Sequence, residues 1–271
     1  MADIELNGVD LSTYGFTARE VPDLLDAPAR SYAGLKQPDR PGQRVGLRSI
    51  GNRPFSVAGM LQSTSLAQAQ TQLDQIMAVA LAVQPSTVVM AWSTSRRLTA
   101  ECVGVQVTPL GSPFGVFKYD VRLLFDAADP PFWQATTQHS VTTIQSTGKA
   151  MPMGNAPFSP QILVAGPTSN VEIKLQNSTA AQQASIKFTG INLTAADYLA
   201  IDMGARTVYQ NVTGTFSSGT SKIAAMTSSG DFFDVLPEYA DIANSSWPIM
   251  QCVTGGTSGG SATVYYYKAW N

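Results

Sequence analysis

Charged residues are scarce in this chain of 271 residues. Lys, Arg, Asp and Glu together make up 13% of the sequence, which is about half of their usual share in globular proteins. The net charge of −2 excludes a strongly basic domain that grips nucleic acid. Ser, Thr, Gln, Asn and Gly replace the missing charges, a composition typical of β surfaces, turns and faces that are buried against partners.

The side chains of metal sites and nucleophilic catalysis are also scarce. His139 is the only histidine, and Cys102 and Cys252 are the only cysteines. A zinc site needs several His or Cys ligands, and a serine-type triad would have to use His139 although the sequence has no Gly-x-Ser-x-Gly turn. We therefore expect no catalytic residue, metal or cofactor, and we interpret His139 as a solvated linker residue. Both cysteines lie in apolar stretches, which predicts buried free thiols.

Long hydrophobic runs are absent. The longest apolar stretch, residues 76–83, is far too short to span a bilayer. The N-terminus carries an early acidic residue and no apolar run, so it does not have the pattern of a signal peptide. We expect a soluble protein that is made in a cytoplasm and is not inserted into a membrane.

The most informative stretch that is present is residues 119–133, Tyr-Asp-Val-Arg-Leu-Leu-Phe-Asp-Ala-Ala-Asp-Pro-Pro-Phe-Trp. Val121, Leu123 and Phe125 alternate with polar residues, as in a strand with one buried face. Two prolines follow, and proline cannot extend a sheet ladder. We therefore predict a first domain of residues 1–128, a linker of residues 129–149 and a second domain of residues 150–271.

Hydrophobic periodicity predicts a single helix in the first domain. Apolar residues recur at three- and four-residue spacing over residues 66–83, after a possible Ser-Thr-Ser cap at 63–65. An Asn7-Gly8 pair between two short alternating segments predicts a hairpin. The other strands predicted in this domain cover residues 45–61, 87–92, 97–108 and 115–125.

The second domain reads as almost entirely β. Turn residues separate its predicted strands at intervals of roughly ten residues, which favours a β-sandwich. The predicted strands cover residues 161–165, 170–176, 184–189, 198–202, 207–210 and 262–267.

A charged, turn-rich stretch over residues 30–44 is a candidate for contact with a partner. Seven of the 17 basic residues lie between Arg19 and Arg53, with four acidic residues among them. A solvated surface loop and an arm ordered on a neighbouring subunit both explain this composition, and the interleaved acids make nucleic-acid contact the weakest interpretation. On the second interpretation, the candidate interface residues are Arg30, Lys36, Arg40, Arg44 and Arg48.

Residues 231–247 combine four carboxylates with aromatic side chains. Paired carboxylates occur in glycosidases, although spacing in sequence does not establish the separation that hydrolysis requires. A buried strand followed by a polar loop explains the same pattern. If this region binds sugar, Tyr239 and Trp247 are the candidate glycan contacts.

Three segments together resemble the distal tail protein (Dit) family of long-tailed, non-contractile bacteriophages. The segments are Leu-Phe-Asp-Ala-Ala-Asp-Pro-Pro-Phe-Trp at 124–133, Tyr-Leu-Ala-Ile-Asp-Met-Gly-Ala-Arg-Thr-Val at 198–208 and Ser-Ala-Thr-Val-Tyr-Tyr-Tyr-Lys-Ala-Trp at 261–270. The opening Ile-Glu-Leu-Asn-Gly-Val-Asp-Leu at 4–11 and the order of strands, helix and strands also fit. The resemblance covers the chain from end to end, and none of its short motifs carries chemistry.

The resemblance implies a mainly β architecture. The N-terminal domain would be a tail-tube-like β-sandwich with one packed α-helix. The C-terminal domain would be a β-sandwich like galectins or carbohydrate-binding modules.

The resemblance also implies a non-enzymatic structural protein of the virion tail tip, assembled in the cytoplasm of the bacterial host. A homohexameric ring would join the tail tube protein to the tail-tip hub of the baseplate and leave a channel for DNA. A receptor-binding protein or a host glycan would be a further partner. Two alternatives stay open, a carbohydrate-binding protein of the tail tip and another tail-tube or tail-completion protein.

Overall fold

The computed structural model describes most of the chain. The described residues are 4–21, 28, 30–36, 43–82, 85–90, 93–111, 116–128, 130–144, 148–227, 231–255 and 261–270. Contacts divide the chain into two compact units, residues 1–136 with residue 271, and residues 137–270. Among the described residues, no helix is both long and apolar enough to cross a bilayer.

The first unit contains an antiparallel sheet with one α-helix against it. Its strands are β1 (Ile4–Leu6), β2 (Val9–Asp10), β3 (Phe16–Glu20), β4 (Arg30–Lys36), β5 (Gln43–Ile50), β6 (Arg53–Ser63), β7 (Ser86–Met90), β8 (Arg96–Gly111), β9 (Phe117–Ala127) and β10 (Trp133–Ala135), and its helix is α1 (Leu66–Ala82). The main sheet runs β2-β1-β7-β8-β9-β6-β3, with β10 also paired to β8. The predicted mainly β fold class with one packed helix is confirmed.

The predicted N-terminal hairpin is confirmed. Asn7 and Gly8 have φ angles of 52° and 80°, the left-handed conformation that a two-residue hairpin turn requires. Leu6 pairs with Val9, and Glu5 pairs with Asp10. A 3₁₀ turn over Leu11–Tyr14 follows, capped by the Asp10 side chain, which accepts a hydrogen bond from the Ser12 N–H at 2.8 Å.

Helix α1 spans Leu66–Ala82, and Val83, the last residue of the predicted helix, lies outside the described residues. Ser65 caps it, since its hydroxyl accepts a hydrogen bond from the Gln68 N–H at 3.2 Å. Ala69, Ile76 and Ala80 are fully buried. Their spacing of seven and four residues places them on one helix face, which packs towards the sheet.

The second unit contains two antiparallel sheets. Its strands are β11 (His139–Ile144), β12 (Lys149–Ala150), β13 (Gln161–Ala165), β14 (Thr168–Gln176), β15 (Gln182–Lys187), β16 (Asn192–Leu193), β17 (Tyr198–Asp202), β18 (Thr207–Asn211), β19 (Thr220–Ser221), β20 (Ile249–Gly255), β21 (Ser261–Tyr266) and β22 (Ala269–Trp270). One sheet runs β11-β21-β13-β17-β18-β19, and the other runs β12-β20-β14-β15 with β16 on β14. Alternate residues of both sheets are buried, including Ile162, Ile201, Ile173 and Cys252. This is the pattern of two sheets that share one core.

Strands β10 and β11 lie within residues 129–149, the stretch predicted as a linker. Strand β10 pairs with β8, and β11 pairs with β21 from His139↔Tyr266 to Ile144↔Ser261. His139 is therefore a half-buried strand residue and not a solvated linker residue. The Thr-rich sequence of β11 suits an edge strand, whose pairing with a distant segment leaves little local signal. The boundary between the compact units falls after residue 136, and the predicted bounds of independently folding domains stay a prediction.

Candidate subunit interface

The charged stretch of the first unit forms a β-hairpin. Strands β4 and β5 pair with each other from Arg30↔Ile50 to Lys36↔Gln43, with a register shift after Tyr32. They form a two-stranded sheet separate from the main one. Among the described elements, no other strand or helix makes an extensive contact with this hairpin. We call the strands β4 and β5 the arm. An isolated two-stranded hairpin is at best marginally stable in water.

Four of the five predicted interface residues have described backbone positions in the arm, and Arg40 lies outside the described residues. Arg30 and Lys36 are on β4, and Arg44 and Arg48 are on β5. The register places Leu35 opposite Arg44 and Tyr32 opposite Arg48. The structure thus places these four residues on the two strands of one hairpin.

The two ends of the main sheet differ in charge. Strand β5 leads into β6 through residues 51–52, and β6 lies next to the edge strand β3. The arm therefore joins the sheet at its β6–β3 end. At the opposite end, Glu5 of β1 lies directly across from Asp10 of the edge strand β2, and both side chains are exposed. Sequence reasoning missed this acidic pair, although both residues are equally far from the Asn7-Gly8 turn and an antiparallel hairpin must place them opposite each other.

Some large apolar side chains on β8 and at the start of α1 are exposed. Val103 and Leu110 are 63% and 52% exposed, and Leu66 at the start of α1 is 49% exposed. Leu66 also lines a small surface hollow together with Pro109, Phe117 and Tyr119. Large apolar side chains that stay exposed commonly mark a contact with another protein where they form a patch. Sequence reasoning missed them, because the alternation of apolar and polar residues along β8 does not show where the strand extends beyond the elements that cover its apolar face.

The candidate glycan contacts of the second unit are both half-buried. Tyr239 ends a 3₁₀ turn over Pro237–Tyr239, and its carbonyl accepts a hydrogen bond from the Ser178 N–H at 2.8 Å. Burial raises the pKa of the Tyr239 hydroxyl, and the carboxylates of Glu238 and Asp234 raise it further. In the described chain, Tyr239 and Trp247 are not stacked on each other, so the structure does not form them into one aromatic platform.

The carboxylates around these residues stabilise local structure. Asp234 accepts a hydrogen bond from the Ser159 hydroxyl at 2.5 Å. Asp241 accepts hydrogen bonds from the backbone and side-chain amides of Asn244 at 3.2 and 2.8 Å. Within the described ranges, no three His, Cys, Asp or Glu residues are grouped as metal ligands would be. The arrangement is that of capped turns.

The histidine and the two cysteines are not grouped either. His139 stacks on Tyr266 with ring centroids 5.8 Å apart, and burial, followed by the charge of Lys268, lowers its pKa. Cys102 and Cys252 are buried free thiols, as the sequence predicted. Burial raises the pKa of both thiols, that of Cys252 to about 12, which keeps them protonated and unreactive at neutral pH.

Comparison with known proteins gives matches of structure only. No protein-family model and no curated protein matches the sequence. The Dit protein of phage SPP1, described as a paradigm of the hub adsorption apparatus in phages that infect Gram-positive bacteria, matches with a TM-score of 0.72 and 13% identity over 100% of both chains. A chain of the phage P2 baseplate in its activated conformation with Ca matches with a TM-score of 0.52 and 10% identity, over 99% of this chain and 98% of that one. A chain of the phage p2 baseplate with Sr matches with a TM-score of 0.50 and 9% identity, over 97% of this chain and 98% of that one. The predicted resemblance is therefore confirmed at the level of fold: over its full length, this chain has the fold of a phage Dit protein.

Proposed function

We propose that this protein is a structural component of a bacteriophage tail tip and acts as a ring-forming adaptor. The observation that carries the proposal is the match over the whole of both chains to the SPP1 Dit protein of a hub adsorption apparatus. Six copies would close a ring that joins the tail tube to the tail-tip hub and leaves a central channel for DNA. The role would be geometric and would need no catalytic group.

Features of the first unit support a contact between copies. The arm is a hairpin separate from the main sheet, and four cations lie on its two strands. Among the described strands, β2 and β3 are the two ends of the main sheet. Val103 and Leu110 add exposed apolar surface at β8. A ring requires two different surfaces on each copy that fit each other, and these elements offer such surfaces.

The test is the solution mass of the purified full-length chain across a concentration series, with negative-stain images of the same samples. Closed rings of six with a central hole are expected. Open-ended tubes would instead indicate a tail-tube subunit. A chain that stays monomeric at high concentration and fails to join purified tail-tube or hub proteins of the same tail would overturn the proposal.

A matched variant connects assembly to the arm. Replacing residues 31–49 by a short Gly-Ser connection should leave the melting temperature close to that of the wild type, because no other described element makes an extensive contact with the arm. The variant should nevertheless remain monomeric. Rings formed by this variant would show that the interface lies elsewhere.

Recognition of a host glycan by the second unit is the alternative role. Tyr239 and Trp247 are partly accessible aromatic residues beside several carboxylates, and such residues can contact sugars. Binding on a glycan array that is lost with Tyr239→Ala or Trp247→Ala, and kept with Tyr209→Ala on β18, would support it. No binding by the wild-type chain would remove this role and leave the adaptor proposal unaffected.

A further inference from the structure

The arm has a strong excess of positive charge. Strands β4 and β5 carry Arg30, Lys36, Arg44 and Arg48 and no carboxylate. The whole chain has a net charge of −2, and the two strands together carry +4. The residues outside these strands therefore have a net charge of −2 − 4 = −6. An acidic surface on a neighbouring copy would be complementary in charge to these strands.

The end of the sheet away from the arm has the opposite charge. Glu5 and Asp10 are direct cross-strand neighbours, an arrangement that is destabilising for like charges. Among the described residues, the ion pair within 4.0 Å is Lys174–Glu172 of the second unit, and within the same residues neither Glu5 nor Asp10 has a cationic partner at that distance. In the sheet, Glu5 of β1 lies opposite Val89 of β7, and Val89 lies opposite Arg97 of β8. Arg97 is therefore two strands away from Glu5.

The arm and the acidic pair are placed as a closed ring requires. The arm joins the sheet at the β6–β3 end, and Glu5 and Asp10 lie at the β2–β1 end. A cyclic ring of more than two copies repeats one contact between two different surfaces, so that each copy offers one surface to the neighbour before it and the other to the neighbour after it. Complementary charges at opposite ends of one sheet provide two such surfaces.

We infer that the arm of one copy docks on the β1–β2 edge of the next copy, which brings the basic strands β4 and β5 to the edge that carries Glu5 and Asp10. This inference rests on the proposed ring and specifies the partner surface within it. Charge complementarity of this kind sets the register between neighbours and speeds their association. Assembly should therefore weaken as the salt concentration rises, because exposed charges are screened.

Charge reversal tests the contact in the full-length protein. Lys36→Glu combined with Arg44→Glu in the arm, or Glu5→Lys at the edge, should each raise the protein concentration for half-maximal ring formation by about tenfold or more. The arm and edge changes together should restore ring formation towards the wild-type value. Glu5→Lys should not unfold the chain, because it replaces a repulsive cross-strand pair by an attractive one. The control for the arm variant is Lys149→Glu combined with Lys187→Glu, which makes the same net-charge change at two exposed positions of the second unit.

Carbodiimide cross-linking of an equal mixture of isotope-labelled and unlabelled protein provides a direct readout. Cross-linked peptides that join Lys36 of one label to Glu5 or Asp10 of the other are expected, and they should disappear in high salt. If wild-type rings form without these cross-links, or if the charge reversals do not change ring formation, the inference is wrong and the proposed ring still stands. If the wild type forms no ring alone or with its tail partners, the proposed function and the inference both fail.

Discussion

Phe55 of β6 and Phe125 of β9 stack in the core of the first unit, with ring centroids 5.0 Å apart and planes inclined by 14°. The two residues are direct partners in the β6–β9 register, and they are 4% and 1% exposed. Phe125 belongs to the strand that precedes Asp-Pro-Pro. Residues 119–133, which predict the end of the first domain, therefore also supply part of the core that supports the proposed interface.

Replacing Phe125 by Ala should destabilise the first unit by about 3–5 kcal/mol, because the change removes a large buried ring and leaves a cavity. Chemical denaturation followed by circular dichroism measures the loss. Leu124→Ala is the matched control, since Leu124 is the neighbouring residue and only half-buried. Equal losses for the two variants would contradict the assignment of Phe125 to the core.

Asn7 connects the first hairpin to the rest of the first unit. Its side-chain carbonyl accepts a hydrogen bond from the Thr87 N–H at 2.8 Å, and its amide donates to the Val79 carbonyl at 3.3 Å. Asn7→Ala removes these bonds and places a residue without local hydrogen bonding at a φ of 52°, so we expect a loss of about 2–4 kcal/mol in the free energy of unfolding. Asn7→Asp keeps the acceptor and tolerates this backbone conformation, and its loss should be clearly smaller. A loss as large as that of Asn7→Ala would indicate that the acceptor does not stabilise the fold.

The two thiols should resist modification in the folded protein. Burial raises the pKa of Cys252 to about 12 and also raises that of Cys102, so the reactive thiolate is rare at pH 8. We expect Ellman's reagent to label neither cysteine of the native chain within minutes and both in guanidinium chloride. Fast labelling of native Cys252 would show that β20 opens readily.

Tyr266 should make the stability of the second unit sensitive to alkaline pH. Its hydroxyl donates a hydrogen bond to the Pro152 carbonyl at 3.0 Å, and burial raises its pKa to about 12. The unfolded state ionises near pH 10, so the contribution of Tyr266 is fully present below pH 10 and is lost as the pH rises from about 10 to about 12. Urea denaturation at several pH values measures the free energy of unfolding. Between about pH 10 and pH 12, this free energy should fall less steeply for Tyr266→Phe than for the wild type.

A comparison of the two variants at pH 7 separates this effect from the lost hydrogen bond, which should cost about 1 kcal/mol. An alkaline decline that is identical in both proteins would show that Tyr266 does not ionise on unfolding in this range.

Elements with strong local signals were predicted from the sequence. The Asn7-Gly8 turn specifies its hairpin within a few residues, and the apolar spacing of α1 is a property of one helical segment. Strands β13 and β17 have the predicted bounds, because alternating apolar residues between turn residues identify a strand without knowledge of its partner. By contrast, β11 was predicted as part of a linker, since a polar edge strand shows its identity only through its pairing with β21.

The sequence by itself determined that this protein is mainly β, that it has one amphipathic helix and that its basic residues concentrate before residue 54. It could not show that four of those basic residues share a separate hairpin, or that Glu5 and Asp10 lie at the opposite end of the sheet from that hairpin. Turn and helix signals act over a few residues, whereas the order of strands in a sheet depends on pairings between distant segments. Only the tertiary structure decides which strands become edges and therefore which charges one copy presents to the next.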